Sequence, residues 1–173
     1  GHTVMGPSSS MVLADLGADV IKVEPPEGDR TRANVGFGSA LFPVFNRNKR
    51  SISIDLKSEA GRAVIGKVIA GADALIENFA PGTMDRLGLG YKDLSQAHSR
   101  LVYCSLKGFL SGPYEKRAAL DEIVQFMGGL AYMTGPSGSP LRAGSSVGDI
   151  MGGMFGAIGV LAALRERERT GRG

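Results

Sequence analysis

The chain has one cysteine and two histidines among 173 residues. A lone thiol, Cys104 in the apolar run LVYCSL, excludes an internal disulfide framework and favours a reducing compartment, so the expected location is the cytoplasm. His2, His98 and Cys104 have no metal-ligand spacing, and no metal is expected. The same scarcity removes a Ser-His-Asp triad, and no G-x-S-x-G elbow, G-x-G-x-x-G fingerprint or Walker glycine-lysine loop occurs. Nucleophilic work must therefore fall to a carboxylate, a serine or Cys104. Charge of one sign is lacking too: 20 basic and 17 acidic residues are interspersed, a net +3. That excess is too slight to argue for nucleic acid, whereas a small anionic ligand needs only a local patch. The opening GHTVMGPSSS shows no secretory signal. The one candidate membrane segment, residues 150–164, is shorter than the roughly 20 residues a bilayer requires. A buried, tightly packed helix is expected there, and no membrane partner.

Glycine is abundant, at 26 residues, in a chain that is 43% hydrophobic and 21% charged. Length and composition fit one globular domain with a real core. Without a G-X-Y period the glycines exclude collagen and point to close backbone approaches, including loops shaped around a ligand.

Periodicity predicts a helix over 8–16, a strand over 19–24, a loop over 24–39 and a strand over 51–56. Ser58 caps a helix over 59–70, and a strand over 73–79 follows. Short helices near 84–87 and 91–98 lead to a strand over 101–106, then helices over 121–132 and 148–167. This alternation implies an α/β fold with a doubly wound, Rossmann-like parallel sheet.

Among the carboxylates, Glu24 ends a strand as a ribose-binding acid does, but without a glycine fingerprint a strand-end charge is the better reading. Asp149 stands at the entrance of a glycine-laced apolar helix, where free N–H groups and the helix dipole favour an anion; an ordinary first-turn acid is the bland alternative. Gly148, Gly152, Gly153 and Gly156 suit close approach by a ligand or a second helix. The basic cluster 47–50 and Arg86 flank strand ends at what reads as one ligand-bearing edge, where phosphate contact is expected.

The segments LADLGADVIKVEPP, FNRNKRSISIDLK, ENFAPGTMDRLG, MGGLAYMTG and VGDIMGGMFGAIGVLAALRERERTGRG together resemble the family III CoA-transferases, the group of formyl-CoA:oxalate transferase, carnitine CoA-transferase and methylacyl-CoA racemase. The resemblance runs through the whole chain. It implies a CoA-transferase that moves CoA from an acyl-CoA thioester to a carboxylic acid acceptor, with Asp149 as the nucleophile that becomes an aspartyl-CoA thioester. Coenzyme A enters as acyl-CoA substrate. The family's CoA contacts fall on Thr3, Val4, Met5, Asn48, Lys49, Asn78, Phe79, Arg86 and Leu87, with Arg32 a weaker candidate. Asp121 keeps an acidic position that assists in some transferases, and a helix-start acid is its alternative reading.

Three departures stand out: Pro25 and Pro26 replace a basic residue after the first strand, Val4 replaces a glutamine, and Leu120 stands where the racemase branch has histidine. A racemase or isomerase is therefore the second choice within the family, and a noncatalytic CoA-binding fragment the choice outside it. The resemblance further implies an interlocked homodimer when full length, a smaller second domain outside this chain, and a first strand just before Gly1. Residues 1–173 read on that basis as a partial CoA-binding and catalytic large domain, truncated at both ends.

Overall fold

The computed structural model describes residues 1–173, the side chain of Phe37 apart. Helices and strands alternate through the first 105 residues, as α1 (Met5–Asp15), β1 (Val20–Glu24), α2 (Leu41–Asn46), β2 (Lys49–Ser53), α3 (Glu59–Ala70), β3 (Ala74–Glu77), α4 (Thr83–Arg86), α5 (Tyr91–Ala97) and β4 (Val102–Ser105). Three more helices follow: α6 (Asp121–Met127), α7 (Leu130–Thr134) and α8 (Val147–Thr170).

Local chemistry explains most boundaries. α1 starts at Met5, earlier than the serine cluster suggests, because Pro7 lies in the first turn, where a missing N–H costs no helical bond. Ser58 caps α3 by accepting the N–H of Gly61 at 3.0 Å. The segment expected as one helix over 121–132 breaks into α6 and α7 because Gly129 adopts φ 82°. The expected loop over 24–39 contains two 3-10 turns, Arg30–Ala33 and Gly36–Ala40, and runs into α2.

All four strands pair in parallel, in two separate ribbons: β1 with β2, from Val20↔Lys49 to Glu24↔Ser53, and β3 with β4, from Ala74↔Val102 to Glu77↔Ser105. The single sheet implied by the alternation is thus two pairs. Gly1 and His2 bridge them, since Lys22 of β1 donates to the Gly1 carbonyl at 3.3 Å and Asn78 beyond β3 accepts the His2 N–H at 2.8 Å. One core cluster gathers Ile54, Ile65, Ile69, Met84, Leu89, Leu94 and Leu101, and a second gathers Leu13, Val102, Ala157 and Val160.

α8 packs on α1 through glycine. A Cβ on Gly153 would stand 2.7 Å from the Met5 carbonyl and 3.0 Å from the Ser9 nitrogen, and one on Gly156 would stand 3.2 Å from Ser9 Oγ and, beyond α1, 2.6 Å from Leu106. Its C-terminal end is held by Arg167, which reaches Asp73 at 2.7 Å and the Arg100 carbonyl at 2.9 Å. The helix is not the buried one expected from composition. Only Gly153, Ala157 and Val160 are buried, while Met151, Met154, Phe155, Ile158 and Leu161 are exposed, because α1, β4 and, at the helix start, α6 leave the rest of its surface uncovered. By length and composition alone α8 could cross a membrane.

Candidate active site

Asp149 occupies the first turn of α8, half-buried. Ser146, at the cap position, provides no side-chain bond; the Asp149 N–H instead donates to Oδ1 of Asp121 at 3.2 Å. Gly148 makes this possible, since a Cβ there would stand 3.1 Å from that same oxygen. Burial, then the charge of Asp121, then that of Glu122 push the Asp149 carboxyl up to about 6.

Asp121 opens α6 and is buried. Its Oδ2 accepts from the Gln125 amide at 2.6 Å and faces an Arg142 guanidinium nitrogen at 3.4 Å. Arg142 also lies 3.7 Å from Glu122. Sequence reasoning missed Gln125 and Arg142. The spacing of Asp121 and Gln125, one helical turn apart, was the available signal for the first; nothing in the sequence foretells that the segment carrying Arg142 folds back onto α6.

A second group of expected residues assembles around the chain start. Thr3 has φ 62° and turns the backbone into α1, where Val4 is buried as the cap residue. Asn78 clasps this turn, accepting from the His2 N–H at 2.8 Å and donating to the His2 carbonyl at 3.0 Å. Phe79 stacks on His2 with ring centroids 5.4 Å apart. Met5 joins this group to the first, because a Cβ on Gly152 would meet its side chain at 3.3 Å, one turn beyond Asp149.

The cations divide. Arg86 is exposed on α4, with Thr83 Oγ1 at 2.9 Å as its partner, and half-buried Leu87 follows it. Lys49 turns inward to the Pro7 and Phe45 carbonyls at 2.8 and 2.7 Å and to Asn46 at 3.2 Å. Burial, and then Lys22, pull its pKa down to about 7. Asn48, at φ 60°, donates to Asp15 at 2.8 Å.

Arg32 forms a two-pronged bond to Glu24 at 2.8 Å and lies 3.8 Å over the Phe42 ring. That bond, with Ser51 and the Asp29 N–H, holds Glu24 down at about 2 despite burial. Arg47 and Arg50 pair with Asp15 and Asp19. The shared basic edge read from the sequence is therefore not formed: the 47–50 cluster runs into the first residues of β2 and is tied to α1 and to Asp19 just before β1, whereas Arg86 follows β3.

A cavity of about 450 Å³ is lined by Glu77, Met84, Asp85, Tyr91, Tyr103 and Lys107, among others, and does not include Asp149. It adjoins the Asn78–Phe79 segment, because Lys107 bonds both Glu77 oxygens at 2.8 Å and the Phe79 carbonyl at 2.6 Å. Of the two acids outside it, Asp121 is buried and Asp149 half-buried. Among the described residues no cluster of His, Cys, Asp and Glu forms a metal site.

An α/β chain with parallel strands that sets a carboxylate at a helix start beside a second acid is the frame in which the comparisons fall. Residues 1–173 match CoA-transferase family III, and the chain belongs to that family. It is 46% identical to acetyl-CoA:oxalate CoA-transferase of Acetobacter aceti, over 99% of this chain and 46% of that protein. With formyl-CoA:oxalate CoA-transferase of Streptomyces coelicolor it shares 42% identity, over 99% and 43%. Succinyl-CoA:glutarate CoA-transferase of Mus musculus is 40% identical, over 99% and 41%. Among solved structures, a CAIB/BAIF family protein from Brucella suis superposes with a TM-score of 0.93 at 42% identity, covering 100% of this chain and 48% of that one. The chain thus spans less than half the length of these relatives.

Proposed function

We propose that the protein containing this chain moves CoA from an acyl-CoA thioester to a carboxylic acid through a covalent Asp149 intermediate. The observation that carries the reading is the half-buried Asp149 carboxyl, raised to about 6 at the start of α8 beside Asp121. A carboxylate with that pKa is about 90% ionised at neutral pH and is more basic than a solvated aspartate, which favours attack on a thioester.

In the proposed sequence, the Asp149 carboxylate adds to the thioester carbonyl and CoA thiolate leaves, giving a mixed anhydride. The thiolate then attacks the Asp149 acyl carbon, the donor acid departs as its carboxylate, and Asp149 carries CoA as a thioester. The acceptor carboxylate attacks that thioester and releases thiolate, which attacks the acceptor's acyl carbon. New acyl-CoA leaves and Asp149 is regenerated.

Thr3, Val4, Met5, Asn78, Phe79, Arg86 and Leu87 are the proposed CoA contacts, with Phe79 beside an aromatic or apolar part and the exposed Arg86 against a phosphate. Lys49, Asn48 and Arg32 are better read as internal anchors, since each is committed to protein acceptors. The relatives are named for oxalate and glutarate, so a dicarboxylic acid is the acceptor class to try first. The racemase alternative is disfavoured by the exposed Leu120 at the histidine position. The exposed apolar face of α8 supports burial against further protein, and we assign it to a homodimer of the full-length chain.

Incubating the full-length protein with acyl-CoA, trapping with hydroxylamine and mapping the product by mass spectrometry tests the reading. A hydroxamate on Asp149, absent in Asp149→Ala, is expected. Transfer that survives in Asp149→Ala without an adduct sinks it.

A further inference from the structure

Gln125 is almost wholly buried, with 2% of its surface exposed, although it carries an amide and sits on a short helix whose neighbouring residues, Phe126 and Met127, are exposed. Every polar group of the amide is used. Its nitrogen donates to Asp121 Oδ2 at 2.6 Å and to the Ser145 carbonyl at 3.2 Å, and its oxygen accepts the Ala143 N–H at 2.7 Å. An ordinary turn-to-turn pair on a helix would account for the first bond alone. The other two reach a segment 18 and 20 residues further along, the strap that runs directly into α8. The Ser145 carbonyl also accepts the Val147 N–H at 2.9 Å, so the atom that Gln125 grips is itself bonded to the first residue of α8.

We infer that Gln125 is a positioning residue for the nucleophile: it fixes both attachments of the α8 start, the Asp121 carboxylate that accepts the Asp149 N–H and the 143–145 strap that leads to it. This inference rests on the proposed role of Asp149. A carboxylate that must add to a thioester carbonyl at a defined angle loses rate when its backbone drifts, while acyl-CoA, held elsewhere, binds as before. An amide is the side chain that satisfies both demands, because one end must donate to a carboxylate and a carbonyl while the other accepts an N–H.

The test uses the full-length protein, three variants of this network and Asp149→Asn as a control. Gln125→Met keeps the length and removes all three bonds. Gln125→Glu keeps the acceptor and turns the donor into a repelling oxygen. The swap D121N/Q125E restores a donor–acceptor pair between the two positions with its direction reversed, and the amide oxygen it leaves at position 121 still accepts the Asp149 N–H.

In each single variant kcat should fall about 100-fold with KM for acyl-CoA within about 3-fold, and the swap should recover at least about 10-fold of what Gln125→Glu loses. Amide hydrogen exchange over residues 143–149 should quicken in Gln125→Met while α3 keeps its protection. Single variants with kcat within about 3-fold of the parent, or a swap no better than Gln125→Glu, overturn the inference. Exchange that quickens through the whole chain also overturns it, since that marks general loosening. If Asp149→Asn retains transfer, the reading of Asp149 is what fails, and the exchange over 143–149 still decides whether Gln125 holds the strap.

Discussion

The backbone N–H of Asp149 donates to Oδ1 of Asp121 at 3.2 Å, across 28 residues of chain. A carboxylate thus takes one of the N–H groups left unpaired at the start of α8 and at the same time places negative charge next to the Asp149 carboxyl. Position and ionisation of the proposed nucleophile therefore depend on one partner.

The pH dependence of transfer follows. As the proposed nucleophile Asp149 must ionise to attack, and it is raised to about 6, first by burial and then by Asp121, so kcat/KM should decline on the acid side with a midpoint near that value. Asp121→Asn keeps the oxygen that accepts the Asp149 N–H and removes the charge, so the acid limb should move to lower pH. An unmoved limb would show that the two carboxyls are not coupled.

Stability should respond with a definite sign. The folded chain holds the Asp149 proton more tightly than the unfolded one, so this favourable contribution is complete below the ordinary value of 3.8 and is lost as pH rises through about 6. Asp149→Asn should then stabilise the protein by about 1 kcal/mol at neutral pH, after allowing for solvent screening of a half-exposed group. Near pH 4 the gain should vanish. Urea unfolding at the two pH values measures the difference.

Two glycines of α8 should behave oppositely. A Cβ on Gly153 meets the Met5 carbonyl at 2.7 Å, whereas one on Gly159 finds nothing within 4 Å. Gly153→Ala should cost about 2 kcal/mol through overpacking. Gly159→Ala should gain up to about 1 kcal/mol through helix propensity. Thermal melts of the two variants give the comparison, and equal effects would contradict the seam between α1 and α8.

Two cations read alike in the sequence should separate in kinetics. Arg86, exposed with a neutral hydroxyl as its partner, should raise KM for acyl-CoA about 10-fold or more when changed to alanine, with a weaker salt dependence. Lys49→Met should leave KM nearly unchanged and cost about 2 kcal/mol, because the Pro7 and Phe45 carbonyls lose their buried donor. Reversed outcomes would move Lys49 back among the proposed CoA contacts.

The order of helices and strands through residue 105 was legible because each segment carries its own periodicity and punctuation, as Ser58 before α3 and Gly17, at φ 99°, after α1 show. α2 was not, since six residues with a central proline show neither period. Lys49 and Arg50 looked like loop and are strand, because polar residues join β2 when their charges find Asp19 or buried carbonyls. At the site, Asp149 stood out by its place at a helix start, whereas Asp121 was marked by the family resemblance alone. The status of Arg32, Asn48 and Lys49 was hidden: the acids and carbonyls that occupy them belong to other elements, and only the folded chain brings these within reach.

The close crossing of α1 and α8 has a further meaning. With no side chain of α8 at Gly153 and Gly156, the serines of α1 seat directly against its backbone and the two helices cannot slide by fractions of a turn; their mutual offset is set like the jaws of a caliper. Met5 lies at one jaw and Asp149 at the other, with Gly152 between them. The reach from the turn at the chain start to the carboxylate is therefore a fixed length, built into packing rather than into any bond either residue makes.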